Sequence, residues 1–294
     1  MEDRKIISYQ RDRFVDTSEL SLPFLDDVGG TIRGYRIFTA CRTVNGRIFR
    51  LQDHLERLYF SARALHMVPP MDRDRLRALL EDVVERNLVL TEGEDLVVDV
   101  IFSGGLEGNT MKQSGNGAHL YVAVQEMVPP PPQLYEQGAV LATYRHQRIY
   151  PDVKLLNYVG AVMAHQTVVP QYGAYEVLFV CPSDGETILE GSTFTIFFVD
   201  QGGEVLTPPL DGKILDSVTR RVVFELLKPR TEFGIKEARI TLAMIPSMSE
   251  CFLVSTTRNV LPVSRLDDKV IGAGKPGPVT RKVMAIFEEY LKSC

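Results

Sequence analysis

Four consecutive prolines, Pro129-Pro130-Pro131-Pro132, constrain this chain more than any other stretch. Each fixes φ and removes a backbone donor, so the run continues neither a sheet nor a helix and reads as a stiff extended connector. With 294 residues the chain is long enough for two average domains. The prolines therefore divide it into a small N-terminal α/β domain (1–128), a connector (129–135) and a larger C-terminal domain (136–294).

Before the prolines, Tyr35 to Thr43, then Val44-Asn45-Gly46, then Arg47-Ile48-Phe49 reads as strand, Asn-Gly turn, strand. Residues 1–34 show no clear pattern. From Asp53, Leu55, Leu58, Ala62 and Leu65 recur at helical spacing as far as Pro69-Pro70. Asp72 is placed to cap a second helix whose stripe is Leu76, Leu79, Leu80, Val83, Val84 and Leu88. Strands are expected at Leu96 to Ser103 and His119 to Gln125, with a glycine-rich loop from Gly104 to Gly117 bordering a ligand site. After the prolines, the pattern predicts strands at Ala139 to Tyr144, Tyr175 to Cys181, Phe194 to Val199 and Cys251 to Ser255. Helices are expected from about Asn157 to Val168, from a Ser217 or Asp216 cap to the stop at Pro229, and from Pro278 to Leu291.

Composition enters as exclusion. A net charge of −5 gives no reason to expect nucleic acid or an anionic membrane as a partner. No apolar run approaches the ~18 residues of a membrane span, and Met1-Glu2-Asp3-Arg4-Lys5 does not open a signal peptide. Four widely spaced cysteines, with no CxxC pair, predict buried thiols in a reducing compartment, hence a cytoplasmic protein with no metal site.

Several residues could carry chemistry. Lys154 is a charge between Val153 and Leu155-Leu156. It either lays its methylene stem over a surface or occupies an apolar pocket, where a neutral amine can form a Schiff base. Glu190 lies between Ile188-Leu189 and Gly191-Ser192. It is a turn carboxylate, or, pointing inward, an acid that needs a cationic or hydrogen-bonding partner such as a protonated ring nitrogen. Ser217-Val218-Thr219 begins a helix, where free N–H groups and the helix dipole can seat a phosphate or simply be capped by one hydroxyl. Ser255-Thr256-Thr257 ends a strand as a second such wall or a routine polar turn. Arg57 carries too many donors to be buried without an anion and is otherwise a surface arginine. Together they are an amine, a carboxylate and three anion-binding elements, the inventory that pyridoxal 5′-phosphate requires.

In order and spacing these segments resemble the class IV aminotransferases, the fold-type IV pyridoxal-phosphate family of branched-chain aminotransferases, D-amino-acid transaminases and 4-amino-4-deoxychorismate lyases. The resemblance runs from about Gly34 to the C-terminus. It is carried by Phe49 through His54-Leu55-Glu56-Arg57-Leu58, by Lys154-Leu155-Leu156-Asn157, by Glu190-Gly191, by Thr207-Pro208 with Ile214 to Arg220, and by Ser255-Thr256-Thr257 with Pro262-Val263. It implies a two-domain α/β (α+β) subunit of fold type IV, with a small N-terminal domain and a larger C-terminal pseudo-barrel domain that hold the cofactor in the cleft between them. It also implies a homodimer. Lys154 would bear the cofactor and act as base, and Glu190 would meet the pyridine nitrogen. Arg57, Ser217, Val218, Thr219 and Thr256 would bind phosphate, while Phe38, Thr256 and Thr257 would face substrate. The reaction implied is amino transfer from an amino acid, with branched-chain L-amino acids among the donors, to a 2-oxo acid such as 2-oxoglutarate.

The chain departs from the family pattern at Thr195 (asparagine in the family), Ser217 (glycine) and Thr39 (glutamate in most aminotransferases). Phe38-Thr39 with Arg42 is closer to the lyases, and the carboxylate-trapping arginine of D-amino-acid transaminases is missing from Asp99 to Gly105. A lyase that releases pyruvate, and a non-catalytic descendant of the fold, are the alternatives these departures raise.

Overall fold

Alternation of apolar and polar residues in the first part of the chain produces strands with one buried face, and the computed structural model, which describes residues 5–294, assembles them into an antiparallel sheet. The described chain forms two compact units: residues up to Val128 with Val153–Asn157 and Cys294, and Pro129–Asp152 with Tyr158–Ser293.

The first unit contains β1 (Ile7–Gln10), β2 (Arg13–Asp16), a short α1 (Val28–Thr31), β3 (Arg36–Val44), β4 (Arg47–Ile48), α2 (Leu51–Ala64), α3 (Arg73–Leu90), β5 (Leu96–Ser103) and β6 (His119–Glu126). The sheet order is β2-β1-β6-β5-β3-β4. Asn45 and Gly46 both have positive φ, 52° and 76°, which makes the β3–β4 connection the tight hairpin that an Asn-Gly pair favours. Helix α2 starts at Leu51, two residues before the expected Asp53, and Asp72 caps α3 by accepting from Arg75 N–H. Period-two alternation assigns the two faces of the sheet. Ile37, Cys41, Val98, Val100, Phe102, Leu120 and Val122 pack with Leu55, Leu58, Leu76 and Leu80 of the two long helices. The opposite face carries Arg36, Phe38, Ala40 and Arg42 of β3 against Ser103, Ile101, Asp99 and Val97 of β5, and these in turn against His119, Tyr121, Ala123 and Gln125 of β6.

The second unit contains α4 (Pro132–Gln137), β7 (Ala139–Arg145), α5 (Val159–Tyr172), β8 (Glu176–Val180), β9 (Ile188–Gly191), β10 (Thr195–Val199), β11 (Glu204–Thr207), α6 (Val218–Leu227), β12 (Gly234–Glu237), β13 (Glu250–Ser255), β14 (Asn259–Leu266), β15 (Lys269–Val270) and α7 (Pro278–Lys292). Its nine-stranded mixed sheet has the order β12-β11-β10-β13-β14-β7-β8-β9, with β15 paired to β14. The core is formed by Leu178, Ile196, Phe198, Leu253 and Leu261, all essentially inaccessible to solvent.

The second unit departs from the sequence expectations in local ways. Pro132 is the first residue of α4, a position where a missing N–H costs nothing, so the proline run ends on a helix. Helix α5 begins at Val159 and runs to Tyr172 with Pro170 in its last turn, later at both ends than expected. Strand β14 was hidden by Pro262, a residue that argues against a strand, yet Pro262 sits opposite Phe252 inside it. Strand β12, Gly-Ile-Lys-Glu, is mostly exposed and has no periodicity to read. Among the described residues no helix is long and apolar enough to cross a membrane.

Candidate active site

In the first unit the Lys154 segment lies along the edge of β3. Phe38 N–H donates to Lys154 O at 3.0 Å, Leu156 N–H donates to Arg36 O at 3.0 Å, and Ile37 pairs with Leu155. Lys154 N–H donates to Ser61 Oγ of α2 at 3.2 Å. These backbone bonds place Lys154 opposite Phe38 on the face turned away from α2 and α3. The Lys154 Nζ lies 4.6 Å from the centroid of the Phe38 ring, a cation–π distance. The side chain is half-buried. Lys154 is therefore set over an aromatic floor on a fixed strand edge.

Arg57 is not a surface residue. It is 7% exposed and donates from Nη2 to Thr39 Oγ1 at 3.0 Å, and the same hydroxyl lies 2.8 Å from His54 Nδ1. Thr39, where the family has glutamate, thus serves as the hub that orients two side chains of α2. Below it, burial pushes the Cys41 thiol up to about 12, so it is inert at neutral pH.

In the second unit Glu190 points inward. It is 7% exposed at the end of β9, and its partner is supplied by the protein. Arg148 donates to Glu190 Oε1 from Nε at 2.9 Å and from Nη2 at 2.5 Å. Leu215 N–H donates to Oε2 at 3.2 Å. Arg148 is itself aimed by a bond to Pro151 O at 2.8 Å. A carboxylate accepts about four hydrogen bonds, so Oε2 retains capacity for a further donor. The adjacent Gly191 is obligatory, because a Cβ there would collide with the Phe194 ring.

Ser217 caps α6, its hydroxyl accepting from Arg220 N–H at 3.4 Å, with φ −76° and ψ 132°. That extended conformation suits any residue, so replacement of the family glycine introduces no strain. The first-turn N–H groups of Val218 and Thr219 have no intrahelical acceptor by helix geometry. Helix α7 offers a contrast, since Glu250 accepts from Val279 N–H at 3.0 Å and Thr280 N–H at 2.7 Å. Among the described residues no carboxylate is bonded to Val218 or Thr219. The α6 terminus thus keeps the character of an anion seat while that of α7 is filled.

Thr256 and Thr257 lie, both half-buried, in the turn between β13 and β14. Arg258 braces that turn, donating to Thr193 Oγ1 at 2.7 Å, Glu176 Oε1 at 3.1 Å and Tyr175 Oη at 3.2 Å. Glu176 also accepts from Ser192 Oγ and lies 3.3 Å from His165 Nε2. This network ties the Thr256 turn to the Gly191–Thr193 turn beside Glu190. Sequence reasoning missed Arg148, Glu176 and Arg258. Glu176 alone left a signal, a charge opening an otherwise apolar strand (Val177-Leu178-Phe179-Val180).

Comparison with known proteins follows the same lines. The family model described as amino-transferase class IV matches residues 36–266. The D-alanine aminotransferase of Listeria monocytogenes serotype 4b (strain F2365) is 30% identical over 271 residues, covering 89% of this chain and 90% of that protein. The structure of a T.th. branched-chain amino acid aminotransferase complexed with N-(5′-phosphopyridoxyl)-L-glutamate superimposes with a TM-score of 0.84 at 25% identity, covering 98% of this chain and 95% of the other. That of the Escherichia coli branched-chain amino acid aminotransferase gives a TM-score of 0.86 at 19% identity, with coverage of 98% and 95%.

Proposed function

The chain belongs to the class IV aminotransferases, pyridoxal-phosphate enzymes that move an amino group from an amino acid to a 2-oxo acid, and from that premise we propose the part each residue plays. The residues present suit the cofactor. A buried carboxylate with spare acceptor capacity matches a protonated pyridine nitrogen, and a helix terminus whose Val218 and Thr219 N–H groups have no intrahelical acceptor matches a phosphate. When bound, pyridoxal phosphate supplies an electron sink for the charge left when a proton leaves the substrate α-carbon.

Lys154 would hold the cofactor through Nζ, and its amine would take the substrate α-proton as general base. Glu190, paired with Arg148, would accept the pyridine N–H. Arg57, Ser217, Val218, Thr219 and Thr256 bind the phosphate, and Phe38, Thr256 and Thr257 face the substrate. The observation that carries this reading is the Glu190 carboxylate, held inward by Arg148 and Leu215 with one oxygen able to accept more. The donor we favour is an aliphatic amino acid, branched-chain L-amino acids among them, because Phe38, Ile101 and Ala40 set a run of apolar side chains beside Lys154 on its sheet face. The test is a panel of L- and D-amino acids with 2-oxoglutarate as acceptor. Glutamate formation with an aliphatic donor supports the reading. Release of pyruvate from aminodeoxychorismate without any amino acceptor replaces it with the lyase.

Two of these assignments lead to further expected results. Arg57→Ala is expected to weaken pyridoxal-phosphate binding by about 10-fold or more, a loss of ~1.5–3 kcal/mol for a charge-assisted bond; fluorescence titration measures it, and unchanged affinity removes Arg57 from the phosphate site. The second concerns assembly. Helix α5 is apolar on its outer as well as its inner side: Val159, Val162 and Met163, three and four residues apart, are 70%, 55% and 50% exposed. A helix apolar all round is normally covered, and a homodimer covers it. Val162→Asp is expected to convert a dimer to a monomer in light scattering, whereas a monomeric wild-type protein would remove the dimer. The three buried free thiols, Cys41, Cys181 and Cys251, suit a cytoplasmic enzyme.

A further inference from the structure

Asp99 is a carboxylate in an apolar row. On β5 it stands between Ala40 of β3 and Ala123 of β6, and two residues along the same face Ile101 stands between Phe38 and Tyr121. Phe38 is also the residue opposite Lys154, whose Nζ lies 4.6 Å from the Phe38 ring. The Asp99 and Lys154 side chains therefore occupy neighbouring rows of one sheet face. Nothing in the helix-packed core needs Asp99, which points away from it. The small side chains of Ala40 and Ala123 leave the carboxylate room on both sides.

We propose that Asp99 is a positioning residue for Lys154, holding the ammonium that forms when Nζ takes the substrate α-proton. The inference rests on the aminotransferase reading. In that step the Cα–H bond breaks, its electron pair stays with the substrate, and the proton forms an N–H bond on Nζ. The ammonium later returns the proton, so the amine is regenerated without any oxidant. A cation created in a half-buried site needs an anion nearby.

On the sheet face that Lys154 shares, the charged and titratable neighbours are Arg36 and Arg42 of β3 and His119 and Tyr121 of β6. On β3, Arg36 donates to Ser103 Oγ at 2.8 Å and lies 3.7 Å from the buried Asp27, and Arg42 reaches the Met127 sulfur at 3.9 Å. On α2, His54 and Arg57 are bonded to Thr39, which belongs to the opposite face. On β6, burial first, then the charge of Asp27, pushes the Tyr121 phenol up to about 12, so it stays neutral. Asp152, two residues earlier in the chain, is exposed. Asp99 is the carboxylate on the sheet face that Lys154 shares, one row along from Phe38. Burial raises its pKa above the ordinary 3.8, while the Lys154 charge and a hydrogen bond from Gln125 act in the other direction. An aspartate raised in the folded state favours its protonated form there. Stability therefore falls as pH rises through 3.8 toward the folded value, and ionised Asp99 is a cost to the fold at neutral pH.

The test compares wild type, Asp99→Asn and Asp99→Glu, each loaded with pyridoxal phosphate. In Asp99→Asn, the midpoint of the pH-dependent change in cofactor absorbance is expected to fall by about one unit or more, because the charge that favours protonated Nζ is gone. Its kcat is expected to fall by about 10-fold with donor KM within about 3-fold, and its Tm to rise by about 2 °C or more at pH 7 but not below pH 3.8. Asp99→Glu is expected to restore the midpoint toward wild type. An unchanged midpoint with a lower Tm would overturn the proposal, leaving Asp99 as a strand-holding carboxylate. If the wild type takes up cofactor on Lys154 but transaminates nothing, the aminotransferase reading fails while the absorbance titration still decides Asp99. A wild type that takes up no cofactor overturns both.

Discussion

Replacing Lys154 with alanine is expected to abolish the visible absorbance of bound pyridoxal phosphate and to lower kcat by at least about 10⁴-fold. In the proposed mechanism one side chain performs two jobs, covalent attachment and proton transfer, and general acid–base catalysis alone contributes about 10²–10⁴. The fold should survive. The segment is held to β3 by backbone bonds through Phe38, Arg36 and Leu156, and to Ser61 by the Lys154 N–H, none of which involves the amine. Circular dichroism and Tm close to wild type would separate a lost reaction from a lost structure. A variant that transaminates at an undiminished rate would remove Lys154 from the mechanism.

Glu190 has the second largest expected effect, and here two substitutions divide charge from structure. Glu190→Gln keeps size and burial but replaces the carboxylate that we propose faces the cofactor ring. A fall in kcat of about 10²–10³ is expected, the usual loss when one preorganised electrostatic partner is removed. Glu190→Ala does more, because it also strands Arg148, which is bonded twice to Oε1 and whose side chain is 13% exposed. Breaking one side of a buried ion pair costs about 3–5 kcal/mol, so this variant should unfold at a markedly lower temperature. Denaturation curves and steady-state rates on both variants check the pair of expectations. Equal rates for wild type and Glu190→Gln would show that the carboxylate serves only to hold Arg148.

The proposed site residues stood out in the sequence where a residue type has few uses. A lysine between apolar neighbours, Glu190 before an obligatory Gly191, and a Ser-Val-Thr helix start each admitted a bland reading alone, and only their order along the chain favoured the chemical one. Glu190 and Ser217 are fixed by local backbone, at the β9 end and the α6 cap, whereas Lys154 is held by pairing with β3, far earlier in the chain. Arg148, Arg258 and Asp99 did not stand out in the sequence because their positions are set by tertiary pairing. Arg148 meets Glu190 from 42 positions away in the chain, and Arg258 meets Glu176 from 82 away. Asp99 was read only as the place where a basic residue is missing. It is the register of β3 against β5 that sets it beside the Lys154 row. The fold followed the same division. Helices with regular stripes and the Asn45-Gly46 hairpin were readable, while β14, interrupted by Pro262, and the exposed β12 owe their pairing to neighbours rather than to local pattern.

The most direct measurement of the central claim is reduction of the cofactor-loaded protein with borohydride, followed by proteolysis and mass spectrometry. The phosphopyridoxyl increment is expected on the peptide that contains Lys154 and on no other. An increment on a different lysine, or none on any peptide from protein saturated with pyridoxal phosphate, would contradict the assignment of Lys154 as the residue that carries the cofactor.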